Sequence, residues 1–322
     1  MDTTSGTSHE TPRSQWYETL ADLGAGSGGL EFLGPSHAAL YSEGGATLLV
    51  SFESGPLLRK RGVTLPIGVN LAEESGWSHL TVITEARDWF RTQVVYGFFD
   101  RLVDDAFFDG FERVVFYGAG PCGYAAAAFS VAAPGATVLA LAPQATLDPR
   151  VTEWDPRFTR QRRLNFTDRY GYAPDMLDGA EQAYVLYDPA NENDAMHAAL
   201  FARPNVSRLR CRLMDGDLDS RLEEMGILSD LIDAACEGLL DEAVFWRLYR
   251  ARRSYPLYLR RLLRQLDDDG RSFLAAILCR HVVEDSGLRM PRFRKRFKEF
   301  QDELKARDSF RSDATVGAET EI

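Results

Sequence analysis

The chain has 322 residues, 45% of them hydrophobic and 26% charged, with a formal net charge of −11. That composition is ordinary for a soluble globular protein and long enough for one large α/β domain plus an extension, and no run reaches the ~18 apolar residues of a membrane span. The charge is uneven, with 18 Lys+Arg against 12 Asp+Glu in residues 245–322 and 19 against 36 in the preceding 244, so the acidic body argues against wholesale nucleic-acid binding.

In chain order, residues 1–14 are polar and lack the apolar core of a signal peptide. They read as a disordered arm, and a cytoplasmic location follows by default. Trp16 to Leu23 reads as a short helix. Thr47 to Phe52 reads as a strand running into the turn cluster Glu53-Ser54-Gly55-Pro56. His79 to Thr84 is a second strand. Trp89 to Phe108 has apolar residues at helical spacing and reads as a helix with a core face.

Val114 to Tyr117 is a buried strand that meets Gly118-Ala119-Gly120-Pro121-Cys122-Gly123, and an alanine-rich helix leaves this corner. Three readings compete for it. Gly118, Gly120 and Gly123 fit G-x-G-x-x-G, in which backbone approaches a pyrophosphate at a helix N-terminus. That reading implies an adenine dinucleotide or nucleotide and asks for an acid at the end of the next strand. Thr137 to Leu141 is followed by Ala142-Pro143-Gln144, and the first carboxylate is Asp148. The second reading is a nucleophile elbow, G-x-S-x-G, with glycine at the nucleophile position. The third is close packing without chemistry.

Residues 145–180 are arginine-rich, and Arg162 and Arg163 are candidates for a phosphate or sulfate. Tyr184 to Tyr187 is a strand ending in Asp188. Asn191 to Phe201 reads as a helix and Val206 to Met214 as the last strand. Strands alternating with helices predict a mostly parallel sheet. The cysteines (Cys122, Cys211, Cys236, Cys279) form no C-x-x-C pair and read as packed thiols. None of the five histidines pairs at metal spacing, so no zinc site is expected.

The run Gly118 to Ala126, with Pro134 to Ala140 and Pro143-Gln144, resembles a bacterial branch of the α/β-hydrolase superfamily that carries a G-S-S-M-G-G-Y-A-A elbow. Some members of that branch are linked to surface-polysaccharide loci. The resemblance covers roughly residues 45–220. It implies an α/β-hydrolase-like sheet, an oxyanion loop near Ser54 and Gly55, a triad acid at Asp188, and a nucleophile position occupied by Gly120. The family's histidine falls near Asp215-Gly216-Asp217, so Asp217 takes the base position. Two of three triad members are thereby replaced. Cys122, at the start of the helix, is the alternative nucleophile for an active hydrolase or acyltransferase. His197 lies in the preceding helix, displaced from the base position. A phosphoadenosine phosphosulfate reductase would need S-G-G-x-D-S and E-C-G-x-H, and the chain has neither.

Residues 218–307 read as successive helices: Leu218 to Leu240, Asp241 to Arg253, Pro256 to Leu266, Arg271 to Glu284 and Pro291 to Arg307. Between Phe245 and Arg264 lie seven arginines and no acid, mixed with aromatics. Helices 245–307 are read as a surface for a protein partner rather than nucleic acid, and residues 308–322 as a disordered tail. The reading as a whole is an α/β-hydrolase-like domain over 15–217 with a helical extension over 218–307. It acts as a degenerate binding module without cofactor, and a small ligand at the elbow is an option.

Overall fold

A computed structural model describes residues 13–24, 28–63, 65–214, 217–285 and 287–303. The chain divides into two compact units, one up to Tyr249 and one from Arg250.

The first unit opens with α1 (Arg13–Gly24) and a hairpin, β1 (Gly28–Leu33) and β2 (His37–Ser42). Then follow β3 (Thr47–Ser54), α2 (Gly55–Lys60), α3 (Ile67–Ser75), β4 (Ser78–Thr84), α4 (Gln93–Asp104), β5 (Arg113–Ala119) and α5 (Pro121–Phe129). Next come β6 (Thr137–Leu141), the short helices α6 (Pro149–Thr152) and α7 (Ala173–Met176), β7 (Gln182–Tyr187), α8 (Glu192–Leu200) and β8 (Val206–Arg210). The helices α9 (Leu218–Glu224), α10 (Leu228–Cys236) and α11 (Glu242–Leu248) close the unit.

The eight strands form one sheet in the order β1-β2-β4-β3-β5-β6-β7-β8. β2 runs antiparallel to β1 and β4, and every pairing from β4 to β8 is parallel. This is an α/β-hydrolase-like sheet. Its central strands are apolar on both faces, as parallel strands covered by helices must be. One face packs Val50, Phe52, Val82 and Phe116 against α4 and α5. The other packs Ala38, Leu40 and Ile83 against Trp16, Leu20, Leu58 and Val69. Ala125 to Ala128 are fully buried, so α5 lies close to the sheet.

The sequence reading began the sheet at residue 47 and did not contain the β1–β2 hairpin. The helix expected from Trp89 starts at Gln93, because Trp89 (φ 54°) and Phe90 (φ 58°) take left-handed backbone in the preceding turn. The run 218–240 is two helices separated at Gly226 (φ 70°). Residues 13 and 14 belong to α1, while the rest of the expected arm, and the expected tail, lie outside the described residues.

The second unit contains α12 (Pro256–Asp268), α13 (Ser272–Arg280) and a helical run over 291–303. They share a core of Leu259, Leu263, Ala275, Cys279, Val282, Phe293 and Phe300. No helix among the described residues is long and apolar enough to cross a membrane.

Candidate functional site

In an open α/β sheet the ligand-facing rim is at the C-terminal ends of the strands. The segments after β5, β7 and β8 hold the positions that the family resemblance assigns to nucleophile, acid and base. All three segments lie on that rim.

The corner after β5 is a sharp strand-to-helix turn with Gly120 at its apex. Gly120 sits at φ 58°, ψ −122°, a region that L side chains occupy only under strain. Its N–H donates to Leu141 O (2.7 Å), and its carbonyl accepts from Tyr124 N–H (2.9 Å). A Cβ built on Gly120 meets nothing within 4 Å, so the space for a nucleophile is open. A Cβ on Gly118 would stand 2.2 Å from the Cys122 carbonyl oxygen. A Cβ on Gly123 would stand 3.0 Å from Leu141 O. The glycines at 118 and 123 are therefore demanded by close approach. The glycine at 120 suits the φ and leaves the apex bare.

Pro121 follows Gly120 as the first residue of α5. In a hydrolase the residue after the nucleophile gives a backbone N–H to the oxyanion hole. Proline has no N–H to give. The signal stands in the sequence as Gly120-Pro121, which lacks both the serine hydroxyl and the amide after it.

The second half of an oxyanion hole would come from the loop after β3. Here β3 passes straight into α2 with Gly55 as its first residue. Ser54 is half-buried and Gly55 buried. A Cβ on Gly55 would meet Glu85 Oε1 at 2.3 Å. Glu85 is held there by Arg59 through two hydrogen bonds of 2.7 Å, and Tyr17 Oη–H donates to it at 3.0 Å. An anionic carboxylate thus lies against the loop where an oxyanion would need donors.

Cys122 belongs to the core on the α5 face. Burial pushes its thiol well above the usual range, and Glu53, Asp219 and Asp88 push it further. The dipole at the start of α5 does not prevail over desolvation and three acidic neighbours, so the thiol stays protonated.

Asp188 is buried after β7. Its Oδ1 accepts from Ala190 N–H (2.9 Å) and from Leu213 N–H (3.1 Å). The second bond reaches the segment after β8, where a triad histidine would stand, and ends on a backbone amide. Asp217 lies at the start of α9, and its Oδ1 accepts from Arg61 Nη2 (2.9 Å). Arg61 Nη1 donates to Asp219 Oδ2 (2.8 Å), so this guanidinium ties α2 to α9. Residues 215 and 216 lie outside the described residues.

His197 is fully buried in α8. Its Nδ1 accepts from Ala145 N–H (3.2 Å), which leaves Nε2–H to donate to Asp155 Oδ2 (3.0 Å). Both ring nitrogens are therefore engaged in holding the β6–β7 connection. Arg162 Nη2 donates to the carbonyls of Glu153 (2.6 Å) and Asp155 (2.7 Å) in that same connection. Arg163 is exposed. A cleft of about 250 Å³ there is lined by Asp148, Arg150, Arg162, Asn165 and Phe166, among others.

Three features of the rim were not read from the sequence. Glu53 is enclosed at the end of β3, where Ile67 N–H donates to its Oε1 (2.9 Å). Burial raises its carboxyl to about 8, against the opposing pull of hydrogen bonds from Gly68, Ile67 and Ser51. His37 Nε2 stands 3.2 Å from Asp88 Oδ2. Trp89 Nε1–H donates to Gln144 Oε1 (2.9 Å), joining the loops after β4 and β6 past the two strands between them. The last two join segments that the sheet order brings together, and Glu53 is met by the start of α3; the sequence displays neither. Among the described residues no group of His, Cys, Asp and Glu is arranged to hold a metal ion.

No protein-family model matches the chain, and no curated protein matches it in sequence. Among solved structures it is similar to carboxyl esterase 2 from the mycorrhizal fungus Tuber melanosporum, at 14% identity and TM-score 0.43, covering 66% of this chain and 84% of that one. It is similar to an esterase of Pyrobaculum calidifontis, at 14% identity and TM-score 0.44, covering 71% and 92%. A capsule O-acetyltransferase of Neisseria meningitidis serogroup A aligns at 12% identity and TM-score 0.40, covering 67% and 99%. These likenesses are distant, and the fold class stands on the strand order and pairing given above. The first unit has an α/β-hydrolase-like fold, and the C-terminal unit is helical.

Proposed function

We propose that this protein is a catalytically degenerate member of the α/β-hydrolase superfamily, from the bacterial branch whose elbow it resembles, and that it serves as a ligand- or protein-binding module. The observation that carries this reading is the pair Gly120-Pro121. At the apex of an intact elbow, one residue lacks the attacking atom and the next lacks the oxyanion-hole donor. The neighbourhood agrees. Asp188 bonds a backbone amide, Asp217 is tied to Arg61, and the Cys122 thiol is held neutral by burial and acidic neighbours. Acyl transfer builds negative charge on oxygen, and the nearby guanidinium groups are already paired with carboxylates, Arg59 with Glu85 and Arg61 with Asp217 and Asp219. The elbow persists because Gly118, Gly123 and α5 pack the centre of the sheet. No nucleotide or other cofactor is assigned. The amide of Gly120 is spent on Leu141 O, and Pro121 has none to offer a phosphate.

The test is hydrolysis of short p-nitrophenyl acyl esters by the wild type and by Cys122→Ala. No turnover in either, with a rise in melting temperature on adding one of the esters or its parent acid, supports a binding module. Turnover lost in Cys122→Ala would establish a thiol hydrolase. Turnover kept in the variant would place a nucleophile elsewhere on the rim, and either form of turnover overturns the proposal.

A further inference from the structure

We infer that the chain associates with a second copy of itself through the outer face of α13, paired antiparallel about a two-fold axis near Ala275. This rests on the second unit alone and not on the reading of the elbow. On its inner side α13 gives Ala275 and Cys279 to the core of that unit. On its outer side Phe273 is 78% exposed, Leu274 43% and Ile277 41%. Phe273 is the most exposed large hydrophobic side chain among the described residues. Single exposed apolar side chains need no explanation, but three on one helix do. Phe273 and Ile277 are four apart, so they stand one above the other on one face.

The occupant is identified by the charges at the two ends of this face. Asp268 at the end of α12 and Asp269 in the turn before α13 are exposed, and Arg280 is exposed in the last turn of α13. An antiparallel copy centred on Ala275 brings Phe273 of one chain opposite Ile277 of the other. It also sets Arg280 opposite the 268–270 turn. Each contact then occurs twice, as an isologous interface requires. Arg271 is two residues from Phe273 and so points away from the shared face. A polyanion would meet Asp268 and Asp269 first, and a purely apolar surface would leave Arg280 without a counter-charge. One helix pair buries less than a standard stable interface, so association is weak and concentration-dependent.

The experiment is sedimentation equilibrium on the full chain across a wide concentration range. The wild type is expected to show a reversible monomer–dimer equilibrium. Phe273→Asp should weaken it by at least about tenfold, the order expected for a central anchor. Ile277→Ser, milder and equally outside the core, should weaken it in the same sense. Arg280→Asp should weaken it, and adding Asp268→Arg and Asp269→Arg to that variant should restore it. Far-UV circular dichroism confirms that each variant is folded. A wild type that is monomeric throughout overturns the proposal, as does a dimer indifferent to Phe273→Asp and Ile277→Ser, or a charge reversal without rescue.

Discussion

Gly120 and Gly118 are two residues apart and answer different demands. At Gly120 the backbone is left-handed (φ 58°) and the space above it is empty. Gly120→Ser should therefore fold, at a cost of about 1–3 kcal/mol for the strained backbone. It should still fail to hydrolyse p-nitrophenyl acetate, because Pro121 has no N–H to donate and the position that the resemblance gives to the base is Asp217, tied to Arg61. Ester turnover in Gly120→Ser would show that a base and an oxyanion donor survive. At Gly118 the obstacle is contact, since an added Cβ lies 2.2 Å from the Cys122 carbonyl and backbone must move. Gly118→Ala should cost about 2–3 kcal/mol in urea denaturation. The matched control is Gly97→Ala in α4, where an added Cβ meets nothing and stability should hold or rise slightly. Equal effects at 118 and 97 would refute the close-packing account.

At the scale of elements, α3 is anchored by Glu53, whose side chain receives the amides of Ile67 and Gly68. Burial dominates those bonds and raises the carboxyl to about 8. An acid whose folded pKa is raised holds its proton more tightly when folded. The contribution of Glu53 is therefore full below the ordinary carboxylate range and falls as pH climbs toward 8, by about 1.4 kcal/mol per unit at most. Glu53→Gln keeps an acceptor for the two amides and removes the proton, so its urea midpoint should change less across pH 5–8 than that of the wild type. A variant that tracks the wild type would assign the slope to another group. His79, which burial lowers to about 4, contributes to the acid limb, as do His197, lowered by burial, and the paired carboxylates Asp155, Glu85 and Asp88. His79 stays neutral when folded, so its contribution is lost as pH falls from about 6.5 toward 4. How much of this was legible follows from the residues. β3 to β7 could be read from the sequence because buried parallel strands are continuous apolar runs such as Val114 to Tyr117, punctuated by glycine or proline. The β1–β2 hairpin escaped because His37-Ala38-Ala39-Leu40-Tyr41-Ser42 has no β-branched residue, although Gly34-Pro35-Ser36 before it is a turn signature. The sharp turn after β5 was legible because Gly118 and Gly123 answer local backbone contacts and Gly120 a positive φ. Glu53 was not, because its burial depends on how α3 packs back onto the end of β3, and the His37–Asp88 pair was not, because its members are 51 residues apart.

For the whole molecule, composition and packing draw the boundary in different places. The last acid–glycine turn after the final strand suggests an end to the α/β domain at 217, and the compact units divide at Tyr249. The difference is carried by α9–α11. They bury Leu218, Leu222, Leu231, Ile232 and Phe245 within the first unit. They are also tied to it by hydrogen bonds from Arg113 Nη1 to Cys236 O (3.1 Å), from Arg61 to Asp219, and from Tyr184 Oη to Leu240 O. Each large apolar side chain returned to water costs about 1.5–3 kcal/mol, so loss of several exceeds the ordinary net stability of a domain. A chain ending at Tyr249 should therefore be soluble and unfold cooperatively, with the circular dichroism of a mixed α/β protein. A chain ending at Asp217 should aggregate or unfold without a cooperative transition, because the α10 side of the sheet would be bare. Cooperative unfolding of the shorter chain would return α9–α11 to the C-terminal extension. Failure of the longer chain to fold would show that the second unit is needed for the stability of the first.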